Sequence, residues 1–127
     1  MRPLRYLPIW AMLGVGLLGL VLYLCLEPPG NGGAFPLPDK VAHLLGFFGL
    51  TVWFAALVER RLYPALGAVM LAIGIGIEVA QYAMALGRSA ELADVYADLA
   101  GVLLGLAISL PSRDSWFERI ERWLAPT

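Results

Sequence analysis

Residues 64–86 read PALGAVMLAIGIGIEVAQYAMAL. Their length and apolar content are those of a helix that crosses a bilayer, which needs about 20 such residues. Yet Glu78 and Gln81 sit inside the run. A charge at that depth costs about 3 kcal/mol on insertion scales, so it needs a partner or a purpose. Partners are at hand: His43, Arg88, Asp94 and Asp98 all lie near the ends of other apolar runs.

Working outward, three more apolar runs flank this one, at 6–26, 41–58 and 93–110. The 127-residue chain is 60% hydrophobic and 15% charged, whereas a soluble domain is nearer half apolar and a quarter charged. The excess is gathered into the four runs. The expected architecture is therefore all-α: a polytopic membrane protein of four transmembrane helices in one domain spanning 1–127. A short amphipathic helix is expected over 113–124, where Trp116, Phe117, Ile120, Trp123 and Leu124 recur at helical spacing. It is expected on the membrane surface, and Ser115 with Glu118 makes a capping box at its start. The formal charge of −1 and the lack of a basic patch exclude a nucleic-acid partner. The single cysteine, Cys25, excludes an internal disulfide and reads as a buried small hydrophobe.

Local signals place the helix ends. Arg2 and Arg5 precede the first run, whose apolar core is too long for a signal peptide and lacks a small-residue cleavage site. Glu27-Pro28-Pro29-Gly30 breaks it, and Pro38 with Asp39 as N-cap opens the second. Glu59-Arg60-Arg61 ends the second run, and Pro64 is placed at the first turn of the third. Arginines lie before helix one, between helices two and three, and after helix four, whereas the other two loops carry only Lys40 and Arg88. By the positive-inside rule both termini face the cytoplasm and those two loops face outward.

Depth then follows. His43 is one turn in from the outer end of helix two. Glu78 is eight residues back from Leu86, ~12 Å at 1.5 Å per residue. Gln81 is one turn nearer the surface, Asp94 is at the lip of helix four and Asp98 one turn below. All converge on the outer half, and the inner halves of the four runs hold no comparable set. Asp39, His43 and Phe47 share a face of helix two. Asp94, Asp98, Gly101 and Gly105 form one stripe on helix four, and Gly74 lies below Glu78 on helix three. Small residues on such stripes let helices approach closely in a membrane. The expected result is a polar pocket open to the outside.

Asp39-Lys40-x-x-His43-x-x-x-Phe47, then Glu78-x-x-Gln81, then Arg88 followed by Asp94, Asp98, Gly101 and Gly105, resemble the VanZ-like family of small membrane proteins. The resemblance covers 38–110. Asp98 stands where the family pattern has asparagine. The resemblance implies an integral protein of the bacterial inner (cytoplasmic) membrane, linked through the family's namesake to glycopeptide (teicoplanin) susceptibility. It does not supply a reaction, so whether the chain is an enzyme stays open.

Two readings of the polar set follow. In the first, the pocket engages an envelope lipid or lipid-linked ligand. His43 and Glu78 are then the candidate catalytic acid and base, because imidazole titrates near neutrality and burial raises a carboxyl. Asp39, Lys40, Gln81, Arg88, Asp94 and Asp98 are the candidate ligand-binding residues, with Arg88 suited to an anionic head group. In the second, the chain is a scaffold or partner subunit of another membrane protein. The polar set is then an interhelical lock, with Arg88 on Glu78 or Asp98 and His43 on Gln81. A proton relay is disfavoured by the apolar inner half. His43, Glu78, Asp94 and Asp98 would offer a nitrogen–oxygen ligand set, but no His-x-x-x-His signature is present. No metal is assigned from the sequence, and the cofactor is left unknown.

Overall fold

Residues 1–27, 38–84, 91–111 and 114–125 are described by a computed structural model. Among them the elements are α1 (Leu7–Leu26), α2 (Asp39–Leu57), α3 (Tyr63–Met84), α4 (Leu92–Ser109) and α5 (Trp116–Leu124), with a 3₁₀ turn at Arg60–Leu62. The first four are each long and apolar enough to cross a membrane. The fold is thus an all-α polytopic bundle with a short C-terminal amphipathic helix, and the membrane lipid is its natural solvent. Ile9, Met12, Val15, Val69, Val79 and Leu104 are among the many large apolar side chains left exposed on its outside.

Each of the four long helices starts one or two residues from the expectation, and two of these starts have a local cause. Asp39 is the first helical residue of α2 and Pro38 is its cap; the Pro38 carbonyl accepts from Val41 and Ala42. A carboxylate inside the first turn faces the positive end of the helix dipole, which suits Asp39 as well as a cap would. In α3 the helix opens at Tyr63, with Pro64 second, where its missing N–H costs nothing.

The central pair is α2 and α4, and the seam between them is set by glycine. A side chain at Gly101 would run into the Leu44 carbonyl and the Phe48 amide of α2, so the two backbones touch there. Gly105 continues the seam one turn on, against Thr51. Above and below this contact the core changes character. Midway, Val21, Cys25, Phe47, Leu50, Met70, Ile77 and Val102 from all four long helices form an apolar cluster. At one end, Leu4, Ala56, Leu57 and Phe117 form a second cluster under α5. At the other end the interior is polar.

α5, expected at the membrane surface, also docks against one end of the bundle. Its Phe117 is fully buried, stacked between Trp10 (ring centroids 4.4 Å) and Trp116 (3.8 Å), with Trp53 edge-on at 5.0 Å. Its apolar face is divided: Phe117 docks on the bundle while Trp123 and Leu124 stay exposed. The expected capping box is present, with Glu118 N–H donating to Ser115 Oγ and Ser115 N–H to Glu118 Oε2.

Candidate functional site

The polar end is assembled from four helix ends. α2 and α4 bring their N-terminal turns, and α1 and α3 their C-terminal turns. On α2 the stripe His43, Phe47, Leu50, Thr51 faces inward, with Asp39 one turn above it at the exposed rim. On α4 the stripe Asp94, Asp98, Gly101, Gly105 is buried. On α3 Glu78 and Gln81 are buried above Gly74. The convergence expected from depth and face is therefore what the helices produce.

His43 and Asp98 form the heart of it. Both are fully buried, and His43 Nδ1 lies 2.9 Å from Asp98 Oδ1. With the carboxylate ionised, Nδ1–H donates, and Nε2 is left with a lone pair. Asp98 fits because Gly74 has no side chain: a Cβ there would stand against Oδ2 and the Asp98 Cβ. The Cys25 thiol faces the same imidazole from α1.

Around this pair the contacts run between helices. Gln81 Nε2 donates to the Cys25 carbonyl at 2.7 Å, tying α3 to the last turn of α1. Glu78 Oε2 accepts from the Glu91 amide at 2.9 Å, so a carboxylate of α3 serves the start of α4. That is the favourable end of a helix for an anion. At the rim, Lys40 Nζ bridges Glu91 at 2.6 Å and lies 3.7 Å from Asp94 Oδ1. Asp39, His43 and Asp94 each place a potential ligand atom within 4.8 Å of the others.

Not every hydrogen-bonding group is met. Among the described residues, His43 Nε2, Glu78 Oε1, Asp94 Oδ1 and Asp98 Oδ2 are buried without a hydrogen-bond partner. Thr51 Oγ1, deeper in the seam, shares this condition.

The structure revises the sequence reading in several places. His43 does not pair with Gln81: the close α2–α4 seam gives it Asp98, and Gln81 turns to α1. Asp39, Lys40, Gln81, Asp94, Asp98, His43 and Glu78 all reach the polar end, but Lys40 stands at its exposed rim. Arg88 lies outside the described residues, as do most of the two expected outer loops. Tyr82 and Tyr96 point outward and are exposed. Two further participants, Glu91 and Cys25, are given contacts here that the sequence reading did not assign them. Both sit at helix ends on the polar side, so depth alone could have marked them.

The opposite end also holds a polar network, which the reading of the four runs missed because its charged members lie outside them. Arg2 reaches Glu118 at 3.1 Å and the Val58 carbonyl at 3.1 Å. Glu121 accepts from the Arg5 amide (2.7 Å), the Tyr6 amide (2.9 Å) and the Trp10 indole (2.8 Å). Partial burial alone would push the Glu121 carboxyl up, but those three donors hold it below the usual glutamate range. A cleft beside α5 is lined by Arg2, Phe48, Tyr63, Ser109, Ser115 and Trp116, among others. Comparison with protein families, with characterised proteins and with solved structures returns no match.

Proposed function

We propose that the chain is a VanZ-like protein of the bacterial cytoplasmic membrane whose polar end faces outward and engages the head group of an envelope lipid or lipid-linked molecule. The observation that carries this reading is the set of buried atoms on His43, Glu78, Asp94 and Asp98 that meet no partner among the described residues. Each buried polar atom left without a partner costs ~1–3 kcal/mol. A bundle that needed polar contacts for cohesion alone would pair them off, as the network at the α5 end does. Polar groups held ready at one end of a membrane bundle suit a ligand that brings its own donors and acceptors.

Charge placement supports the outward direction. Arg2, Arg5, Arg60, Arg61, Arg119 and Arg122 belong to the α5 end, and positive residues favour the cytoplasmic side. In this reading His43, oriented by Asp98, and Glu78 are the groups able to move protons. Asp39, Lys40, Gln81, Asp94 and Asp98 line the approach, and Arg88 is assigned to the anionic part of the ligand. The link to teicoplanin susceptibility belongs to the same proposal.

A second reading has its own support. Three contacts join different helices: His43 to Asp98, Gln81 to Cys25, and Glu78 to the Glu91 amide. They would hold a scaffold or partner subunit together without any ligand. Mass spectrometry of lipids co-purified with wild type and with Glu78→Gln separates the two. A lipid class enriched on wild type and lost from a folded variant supports the pocket. Identical bulk lipid on both, with the variant merely less stable, favours the lock.

A further inference from the structure

We infer that Asp39, His43 and Asp94 form a binding site for a divalent transition-metal ion, with Asp98 as the carboxylate that positions the histidine. Three observations on two helices converge on it. First, the three side chains place their ligand atoms within 4.8 Å of one another. Ligands about 2.1 Å from one tetrahedral ion lie roughly 3.4 Å apart, a difference that a side-chain rotation at Asp39, exposed on the first turn of α2, would close.

Second, the histidine is prepared for this role. Its Nδ1 is engaged by Asp98 and the ring is fully buried, so Nε2 is the nitrogen assigned to the ion, with the Cys25 thiol also facing the ring. Nε2 has no hydrogen-bond partner among the described residues. A ligating histidine commonly gives its other N–H to a carboxylate, which fixes the tautomer and makes the ligating nitrogen more basic. The His43–Asp98 pair has that form before any ion is added. Third, among the described residues Asp94 Oδ1 is buried without a hydrogen-bond partner, and Lys40 lies 3.7 Å from it. Lys40 has its closer contact with Glu91, so it can leave Asp94 to an ion without losing its own partner.

The donor set narrows the ion. One imidazole and two carboxylates suit Zn²⁺ or Mn²⁺ better than Ca²⁺ or Mg²⁺, which favour oxygen alone. The two carboxylates balance the ion's charge. Three protein ligands leave at least one coordination position, on the exposed Asp39 side, for a solvent or ligand oxygen. The site needs no lipid, so it stands or falls apart from the function proposed above.

The test uses the full chain purified in detergent, stripped with a chelator and dialysed to equilibrium with Zn²⁺, and separately with Mn²⁺. Metal is counted by mass spectrometry and affinity is read by calorimetry. One equivalent of ion on wild type is expected, lost or weakened at least tenfold in Asp39→Asn and Asp94→Asn. Asp39 is exposed, so its variant keeps the fold, and thermal unfolding followed by circular dichroism checks this directly. Bound metal should raise the unfolding temperature of wild type and leave that of Asp39→Asn unmoved. Asp98→Asn should still take up Co²⁺, with an altered visible spectrum and affinity weakened ~10–100-fold. Glu59→Gln, at the other end of the bundle, should bind as wild type does. Absence of stoichiometric uptake of either ion by wild type would overturn the inference. So would equal uptake by wild type and both carboxylate variants.

Discussion

Asp98 is the residue on which the polar end turns. It is buried, it holds His43, and it occupies space that only glycine at position 74 leaves open. Replacing it by alanine removes the partner of a buried ring N–H, and the expected loss of stability is about 1–3 kcal/mol. Asp98→Asn keeps an acceptor in place and should unfold much closer to wild type; thermal unfolding in detergent measures both. Gly74→Ala attacks the same pair from α3, and its unfolding temperature should fall as well. At the other end Glu121 gives a pH dependence whose sign is fixed. Its folded carboxyl lies below the ordinary value of 4.5. The stability it contributes is therefore fully present above that value and is lost as the pH falls through the lower, folded one. Emission from Trp10, Trp53 and Trp116 should report α5 loosening in acid, below the unfolded value. Glu121→Gln should show no such step, because the group that titrates is gone.

Elements differ in what holds them. The α2–α4 seam rests on backbone contact at Gly101, so Gly101→Leu should separate the two helices and abolish stable folding. Gly76 has open space around its missing side chain. Gly76→Ala should therefore be neutral or stabilising by up to ~1 kcal/mol, the ordinary helix preference for alanine. Thermal unfolding of the two variants side by side tests whether close approach, rather than glycine content, makes the seam. α5 is held by one buried anchor and by charge contacts. Phe117→Ala should cost roughly 3 kcal/mol and release the helix, as buried aromatic truncations do. Limited proteolysis near Asp114 and quenching of the tryptophan cluster would register the release.

At the scale of the whole molecule the two ends are built on opposite plans. The α5 end is basic, aromatic and internally paired. The polar end is acidic, and several of its buried atoms lack partners among the described residues. Asp39, Glu78, Glu91, Asp94 and Asp98 gather there with Lys40 and His43. That asymmetry underlies the proposed orientation. Reporter fusions after Leu124 and within the 28–37 segment should fall on opposite sides of the membrane, with the C-terminal fusion cytoplasmic. The reverse result would place the polar end inside the cell and end the case for an outer-leaflet ligand.

Much of this was legible in the sequence, because a bilayer imposes strong local rules. Apolar runs of about 20 residues with proline and charged breaks fix helix number and approximate ends. Helical period then fixes which residues share a face, so His43 with Asp39, and Asp94 with Asp98 and the glycines, were predictable as stripes. Ser115 and Glu118 likewise declared their capping box, which is local chemistry within one turn. What the sequence could not decide was pairing between helices. That depends on the rotation and approach of α2 against α4, which the backbone contact at Gly101 settles in three dimensions. Hence His43 meets Asp98 rather than Gln81, Gln81 turns to Cys25, and Asp39 and Asp94 come close to the imidazole. The docking of α5 was hidden for the same reason. Its amphipathic face is suited to a membrane surface and to a protein, and only the fold shows Phe117 packed with Leu4, Trp10, Trp53 and Leu57.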